Sequence, residues 1–473
     1  MPFNSTICAI ATAPGGAIGI IRVSGTEAIA LTDRIFRPLK GKRLAERASH
    51  SLAFGHLVQG DEVLDEVLVS IFRAPHSYTG EESTEIACHG SSYILQETLR
   101  LLTAEGAVLA EAGEFTQRAF LNGRMDLSQA EAVADVIATT TAAQHRVAMS
   151  QMRGAFGRKL GQLREQLLHL TSLLELELDF SDHEDLEFAD RTQLDQIAQQ
   201  IEAECQNLAA SFAAGNAIKR GIPVAIVGST NAGKSTLLNA LLHDERAIVS
   251  DVHGTTRDVV EDCYHLHGTL FRFIDTAGLR QTSDRVEQMG IERSWAKMEE
   301  ANILLFVVDP TADTATWTEL MPHILQQGQN KHLLVLLNKC DIATSQQLER
   351  VEHLWHTLYQ EQVAATSPAV LLRLSAHSGL GLEMLTQQLS KLAEQLTHSE
   401  SELIITNARH HAVLQAALTD IRRVRYALAA QLSGDFVAQD LRECLFHLAE
   451  ITGGQITTDE VLGTIFQHFC VGK

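Results

Sequence analysis

Apolar residues repeat with a helical period in two outer segments of this 473-residue chain. In the first segment, five leucines follow one another at alternating intervals of three and four residues, which predicts one buried face of a long helix. These are Leu160, Leu163, Leu167, Leu170 and Leu174. Capping boxes are predicted at 128–131 and 457–460, and a second stripe beginning at Leu194 is expected to end near Gly215. After residue 400 the helical pattern resumes along Leu414, Leu418, Ile421 and Leu428.

Between the helical segments, short β-type runs alternate with helical stretches. The runs are 224–227, 271–274, 303–308, 333–337 and 371–374. This alternation is typical of a doubly wound parallel α/β domain, which we predict over 216–385. The flanking segments 119–215 and 386–473 are expected to form one helical domain into which the α/β domain is inserted. Residues 1–118 have a mixed α/β texture, with strand-like segments at 19–23 and 67–72, and are predicted to form a third domain.

Composition narrows the class of protein. With 45% apolar and 21% charged residues the chain is neither disordered nor fibrous. Its net charge of −21 predicts that any contact with nucleic acid is local or made through a partner. The longest apolar run, 303–308, is far shorter than the roughly 20 residues of a membrane helix, so we expect no membrane contact. Seven scattered cysteines without a Cys-x-x-Cys pair indicate reduced thiols, no zinc site and a cytoplasmic location.

The strand at 224–227 leads into a phosphate-binding loop. The segment 228–235 reads G-x-x-x-x-G-K-S and precedes a helix from Thr236, which is the strand–loop–helix context this motif requires. Backbone N–H groups of the loop would hold phosphates, helped by the helix dipole. Lys234 would reach the β- and γ-phosphates, and Ser235 would bind Mg²⁺. The remaining residues of the predicted phosphate contact are Asn231, Ala232 and Gly233.

Further motifs predict guanine nucleotide as the ligand. Asp275, Thr276, Ala277 and Gly278 follow the strand 271–274 and place a carboxylate near the metal. The preceding segment 254–258 offers a threonine that would close on the γ-phosphate. Asn338, Lys339 and Asp341 follow another apolar strand, and the Asp341 carboxylate can accept two hydrogen bonds from guanine. Ser375, Ala376 and His377 would complete the base pocket, which makes 216–385 a GTP-binding domain.

The catalytic groups are less clear from the residues themselves. Ras-like GTPases place a water-orienting Gln after Asp-x-x-Gly, and here Leu279 stands at that position. Asn231 is either a ligand of a monovalent cation that supplies the missing positive charge or an ordinary turn residue. Glu287 either orients the attacking water or is an exposed loop glutamate.

The chain resembles the bacterial tRNA-modification GTPases of the MnmE (TrmE) family from end to end. The resemblance is carried by 7–25, 78–81, 113–122, 126–132, 275–280, 290–293 and the ending 469–473. It implies a K⁺-stimulated GTPase with a Ras-like G domain, in which Glu287 positions water. Asn231 and backbone oxygens of Ser250, Val252 and Thr255 would hold K⁺, and Ser235 and Thr256 would hold Mg²⁺. The intervening Asp251, His253 and Gly254 would contribute to the same nucleotide site.

The resemblance also implies a folate-binding-like N-terminal domain that forms a homodimer. Arg22, Glu81, Arg124 and Lys473 would hold 5-formyl- or 5,10-methylene-tetrahydrofolate, although Arg124 stands where many relatives are expected to carry Lys. Cys470 either assists the modification chemistry or packs as a small apolar residue. The family works with the FAD-binding partner MnmG, in a heterotetramer or larger complex. Together they add an aminomethyl or carboxymethylaminomethyl group to the wobble uridine of tRNA.

Two other functions remain open. A ribosome-assembly GTPase that switches on rRNA would share every nucleotide motif, and a folate-dependent transferase could use GTP only as a structural ligand. A basic cluster could contact RNA or carry outward-facing helix charge; it consists of Arg409, Arg422, Arg423 and Arg425. The acidic stretch 175–190 is interpreted as a solvated helix end, and Cys88 with His89 as strand packing.

Overall fold

The computed structural model describes residues 5–13, 15–179, 191–242, 262–274, 298–329, 331–362, 369–399, 401, 403–454 and 472. The described residues fall into two units. The first comprises those within 1–138, 148–202 and 416–473, and the second those within 139–147 and 203–415. The domain boundaries at 118, 215 and 385 stay a prediction.

Strands and helices are numbered along these described segments. The strands are β1 Ile7–Ile10, β2 Ile18–Ser24, β3 Phe36–Pro38, β4 Ser51–Gln59, β5 Glu62–Phe72, β6 Ser83–His89, β7 Val108–Leu109, β8 Ile222–Gly228, β9 Asp262–Leu266, β10 Thr269–Ile274, β11 Ile303–Val308, β12 His332–Leu337 and β13 Val370–Arg373. The helices are α1 Ala28–Ile35, α2 Ser92–Ala104, α3 Glu114–Leu121, α4 Leu127–Ala138, α5 Ala142–Met152, α6 Ala155–Asp179, α7 Arg191–Ala210, α8 Phe212–Arg220, α9 Lys234–Leu242, α10 Ala315–Thr318, α11 Met321–Gln327, α12 Ser345–Gln362, α13 Leu382–Thr397, α14 Ala408–Ala429 and α15 Gly434–Thr452. A 3₁₀ turn spans Leu44–Glu46.

The first unit begins with a sheet in the order β3-β4-β5-β6-β2-β1-β7. Neighbouring strands are antiparallel except for the parallel pair β1 and β7. Alternate residues of β5, Val67, Val69 and Ile71, are buried and join one core with residues of α1 and α2. The mixed α/β texture predicted for the N-terminal segment is therefore confirmed.

The opposite face of this sheet carries an apolar row across four strands. Phe54 pairs with Leu68, Leu68 with Ala87, and Ala87 with Ile20. Phe54 and Leu68 remain 48% and 44% exposed. A continuous apolar row on an exposed sheet face marks a surface suited to association.

The helical part of the first unit contains α6, on which the leucine stripe is confirmed. All five leucines of that stripe are buried, and α6 packs against α15 from the far end of the chain. The predicted capping box at 128–131 is wrong, because Asp126 caps α4 instead. Gln129 N donates to Asp126 Oδ1 (2.8 Å), and Asp126 N donates back to Gln129 Oε1 (3.0 Å). The box predicted at 457–460 lies outside the described residues.

The predicted helix end near Gly215 is also wrong. α7 ends at Ala210, and α8 then runs through Gly215 as part of Phe212–Arg220. A Cβ at Gly215 would overlap with the Ile405 carbonyl oxygen. This glycine therefore permits close packing and does not stop a helix.

The second unit is built on a sheet in the order β13-β12-β11-β8-β10-β9. Its strands are parallel except for β9, which runs antiparallel to β10. The five strands predicted in the central segment are all present, and every residue of β11 is buried, as expected for a strand covered on both faces. Within the described segments, no helix has the length and apolar character needed to cross a membrane.

Candidate functional sites

The phosphate-binding loop joins β8 to α9 and folds as the glycine pattern predicts. Gly228 has φ +151° and Gly233 φ +96°, and a Cβ at Gly228 would overlap with the Val307 carbonyl oxygen of β11. Asn231 adopts φ +62° and is exposed at the turn. The loop thus curls tightly at the carboxyl edge of the sheet, where ligands bind in open α/β folds.

Lys234 is turned back into this loop. Its ammonium group donates to the carbonyl oxygens of Gly228 (2.8 Å) and Ser229 (2.7 Å). Burial lowers the pKa of Lys234, since the charged form is poorly solvated there. A phosphate entering the loop would offer this ammonium an anionic partner in place of two neutral carbonyls. The following Ser235 is half-buried and Thr236 is exposed.

Asn338 connects the phosphate-binding loop to the predicted base pocket. Its Nδ2 donates to Ala232 O (2.8 Å), and its Oδ1 accepts from Ala376 N (2.9 Å). Ser375 is buried beside Ala376, and its Oγ accepts from the backbone N–H of Ser378. Asn338 therefore holds the two loops together, a role the spacing of the motif alone did not reveal.

Asp341 and His377 follow Asn338 and Ala376 in the two loops that Asn338 joins, and both are exposed. Among the described residues no hydrogen bond or ion pair engages the Asp341 carboxylate. Its two oxygens can therefore accept the hydrogen bonds that guanine offers.

Lys339 has an ionic partner that sequence reasoning missed. Its Nζ lies 2.6 Å from Asp309 Oδ2, and its backbone adopts φ +61°. The sequence feature that could have identified this partner is the position of Asp309 directly after the buried strand β11. Burial alone would raise the pKa of Asp309, but hydrogen bonds from Lys339 and Thr311 hold it below its ordinary value.

Most of the predicted catalytic and metal-binding residues, further residues of the predicted nucleotide site, and two residues near the C-terminus lie outside the described residues. These are Glu287, Ser250, Asp251, Val252, His253, Gly254, Thr255, Thr256, Asp275, Thr276, Ala277, Gly278, Cys470 and Lys473. Asn231 and Ser235 are the predicted cation ligands that the described segments contain.

Arg22 marks a second candidate site, on the N-terminal sheet. Its guanidinium binds Glu85 through Nε (2.9 Å) and Nη2 (2.8 Å). It also lies over the rings of Tyr78 and Phe115, at 5.3 and 5.7 Å from their centres. Nη1 reaches the carbonyl oxygen of Gly472 at 3.4 Å, which brings the end of the chain beside β2.

Glu81 belongs to the same region and is held by Arg118. The Arg118 side chain is fully buried, and Nη1 lies 3.3 Å from Glu81 Oε2 while Nη2 lies 2.7 Å from Glu114 Oε1. Ser24 Oγ donates to Glu81 Oε2 at 2.8 Å. Sequence reasoning did not single out Arg118, although the spacing from Glu114 is that of an i,i+4 ion pair on α3.

Arg124 lies beside the loop that carries Glu81. Its guanidinium-bearing side chain is exposed, and a Cβ at Gly80, where φ is +80°, would lie 3.3 Å from the Arg124 stem. Arg124 therefore lies beside Gly80, the residue before Glu81, while Lys473 is outside the described residues.

Three of the four arginines considered for RNA contact are engaged by carboxylates. Arg422 and Arg425 both bind Glu202 at 2.7 Å, and these hydrogen bonds lower the pKa of Glu202. Arg423 binds the carboxylates of Asp420, Asp440 and Glu443. Arg409 contacts His410. These pairings favour the interpretation as helix charge over that of a phosphate-binding patch.

The mainly parallel sheet, the phosphate-binding loop and the guanine-binding loops joined by Asn338 define a P-loop guanine-nucleotide-binding domain. The same chain also contains an N-terminal region of mixed α/β structure and several long helices. The model of the MnmE helical domain matches residues 127–470, and that of the GTP-binding protein TrmE N-terminus matches residues 6–124. The chain belongs to the MnmE family of tRNA modification GTPases.

Full-length relatives agree with this assignment. The chain is 53% identical to a tRNA modification GTPase MnmE of Parabacteroides distasonis, over 99% of this chain and 100% of that protein. It is also 53% identical to the protein of that name from Bacteroides fragilis, with the same coverage. The protein of that name from Porphyromonas gingivalis is 48% identical over 100% of this chain and 99% of its own length.

Proposed function

We propose that this protein acts in the cytoplasm and hydrolyses GTP to drive modification of the wobble uridine of tRNAs. It would act with an FAD-binding partner, MnmG, to add an aminomethyl or carboxymethylaminomethyl group. The observation that carries the proposal is the phosphate-binding loop with Lys234 turned into it, and the family assignment supports the coupling to tRNA.

Mg²⁺ and K⁺ are the cations we assign to the nucleotide site. The proposed ligands are hydroxyl, amide, carbonyl and carboxylate oxygens, which are the donors that hard cations prefer. Asn231 supports the K⁺ assignment by its exposed position at the turn of the loop. K⁺ would supply the positive charge that an arginine supplies in other GTPases, with Glu287 positioning the water.

Steady-state GTP turnover of the full-length protein in matched K⁺ and Na⁺ buffers tests this proposal. We expect faster turnover in K⁺, and loss of the difference in Asn231→Ala. Asn239→Ala, on the exposed side of α9, is the matched control and should keep the K⁺ response. Equal turnover of the unmodified chain in both salts would remove K⁺ from the mechanism and leave GTP hydrolysis standing.

A tetrahydrofolate derivative, in its 5-formyl or 5,10-methylene form, is the proposed one-carbon donor. The single positive charge of Arg118 faces two carboxylates, so Glu81 keeps capacity to accept hydrogen bonds from the pterin ring. Arg22 and Arg124 suit an anionic tail, and Lys473 would join them. Calorimetric titration with 5-formyl-tetrahydrofolate should show binding that Glu81→Gln weakens and that Glu97→Gln, at a half-buried glutamate on α2, does not. No binding to the unmodified chain would overturn this assignment.

The apolar row on the N-terminal sheet supports a homodimer. Phe54 and Leu68, at one end of the row, are its most exposed residues. Sedimentation should give a dimer for the unmodified chain and a monomer for Phe54→Ser with Leu68→Ser. Tyr426→Ser removes a still more exposed aromatic group, from α14, and should leave the dimer intact. A double variant that still dimerises would place the interface elsewhere.

A further inference from the structure

Asp309 leaves the central sheet beside the base pocket. β11 and β12 are adjacent parallel strands with Val308 opposite Leu337, and Asn338 N donates to Val308 O at 2.9 Å. Residues 309 and 339 therefore emerge together at the carboxyl edge of the sheet, where the ligand is expected.

The Asp309 carboxylate is a buried group with three donors. Thr311 donates to Oδ1 through its backbone N–H (2.8 Å) and its hydroxyl (2.6 Å). Lys339 Nζ donates to Oδ2 at 2.6 Å. The carboxylate is 8% exposed and the lysine side chain 32% exposed, so the anion is the fixed member of the pair.

The backbone of Lys339 is held independently of this ion pair. Its φ of +61° is uncommon for a residue other than glycine, and its carbonyl oxygen accepts from Ile342 N and Ala343 N, both at 3.1 Å. These backbone contacts do not fix the conformation of the long side chain, which can adopt many rotamers when it has no partner. Asp309 fixes its far end.

We propose that Asp309 is a positioning residue for guanine-nucleotide binding. It holds the Lys339 ammonium group, so that the lysine side chain keeps one orientation between its sequence neighbours Asn338 and Asp341. Asn338 joins the two loops, and Asp341 would bind the base. The inference rests on the proposed nucleotide site. Prior ordering of one long side chain is expected to tighten binding about three- to tenfold.

Asp309→Asn tests this role in the full-length protein. The amide keeps an oxygen for Thr311 but loses the charge that holds Lys339, so we expect fluorescent GDP to dissociate about three- to tenfold faster. Asp309→Glu keeps the charge and should retain most of the affinity. Asp313→Asn is the matched control, since Asp313 lies in the same loop and is exposed. Circular dichroism establishes that each variant is folded.

A double-mutant cycle separates positioning from a structural effect. In a Lys339→Ala background, Asp309→Asn should change GDP dissociation no further, because its effect passes through the lysine. An equal loss in both backgrounds, or no loss in either, would overturn the inference. Failure of the unmodified chain to bind GDP would instead overturn the nucleotide site itself.

Discussion

Removing the buried Arg118 guanidinium is expected to destabilise the first unit strongly. Arg118→Met keeps the aliphatic stem of the side chain but removes the cation that Glu81 and Glu114 share. Breaking a buried ion pair from one side costs roughly 3–5 kcal/mol. The two carboxylates are 16% and 12% exposed, so water relieves part of this cost and a loss of about 3 kcal/mol is expected.

Differential scanning calorimetry measures this loss. In units of this size a loss of 3 kcal/mol lowers the unfolding temperature by roughly 6–12 °C. Trp317 and Trp355 belong to the second unit, and the sequence has no tryptophan in residues 1–202 or 416–473, so tryptophan fluorescence should follow a transition that Arg118→Met does not move. The unfolding transition of the second unit can also be identified because its temperature should rise when GDP is added, since a ligand stabilises the unit that binds it.

Arg100→Met is the matched control for this experiment. Arg100 is 52% exposed and pairs with Glu97 on the surface of α2, where water screens the ion pair, so its loss should change the unfolding temperature very little. If Arg118→Met lowers the first unit's transition by no more than this control does, then Arg118 does not compensate two buried carboxylates, and the electrostatic account of the Glu81 loop is refuted.

Gly233→Ala is expected to weaken GDP binding about tenfold or more, because φ +96° disfavours a side chain and the added Cβ would overlap with Asn338 Nδ2. Titration calorimetry measures this, and Gly161→Ala, with no atom within 4 Å of the added Cβ, should bind as before. Burial raises the pKa of the Cys205 thiol from 9.0 to about 12. Between pH 9 and 12 the thiol is therefore protonated in the native chain and ionised in the unfolded chain. The free energy of unfolding should fall as pH rises through this range. Cys205→Ala should make the fall of unfolding free energy with pH, measured from pH 9 to 10.5, shallower by about 1 kcal/mol per pH unit, and an unchanged slope would contradict the assignment.

The central strands could be predicted because their burial is written into the sequence. β11 is buried on both faces, so it reads as an unbroken apolar run and needs no knowledge of its neighbours. β9 was missed for the opposite reason. It is an edge strand whose buried Tyr264 and Leu266 alternate with Cys263 and His265, and so it reads as a short mixed segment.

The ends of helices and the buried ion-pair partners could not be predicted from local sequence patterns, because both depend on tertiary contacts. Gly215 resembled a helix stop, yet its lack of a side chain serves close packing against Ile405. Ser128 resembled an N-cap, but Asp126 stands two residues earlier and makes the reciprocal bond with Gln129. Sequence position alone gives no measure of the burial that distinguishes such residues.

In both candidate sites, a buried charged side chain forms an ion pair with a residue of the predicted ligand-binding site. Arg118 supports Glu81, and Asp309 supports Lys339, each through a side chain that is less than one-tenth exposed. A buried charge without its partner is costly, so each support is tied to the fold as well as to the site. Substitutions at the supports should therefore lower stability and affinity together. Substitution of the exposed Asp341 should lower affinity alone, because water solvates whatever remains.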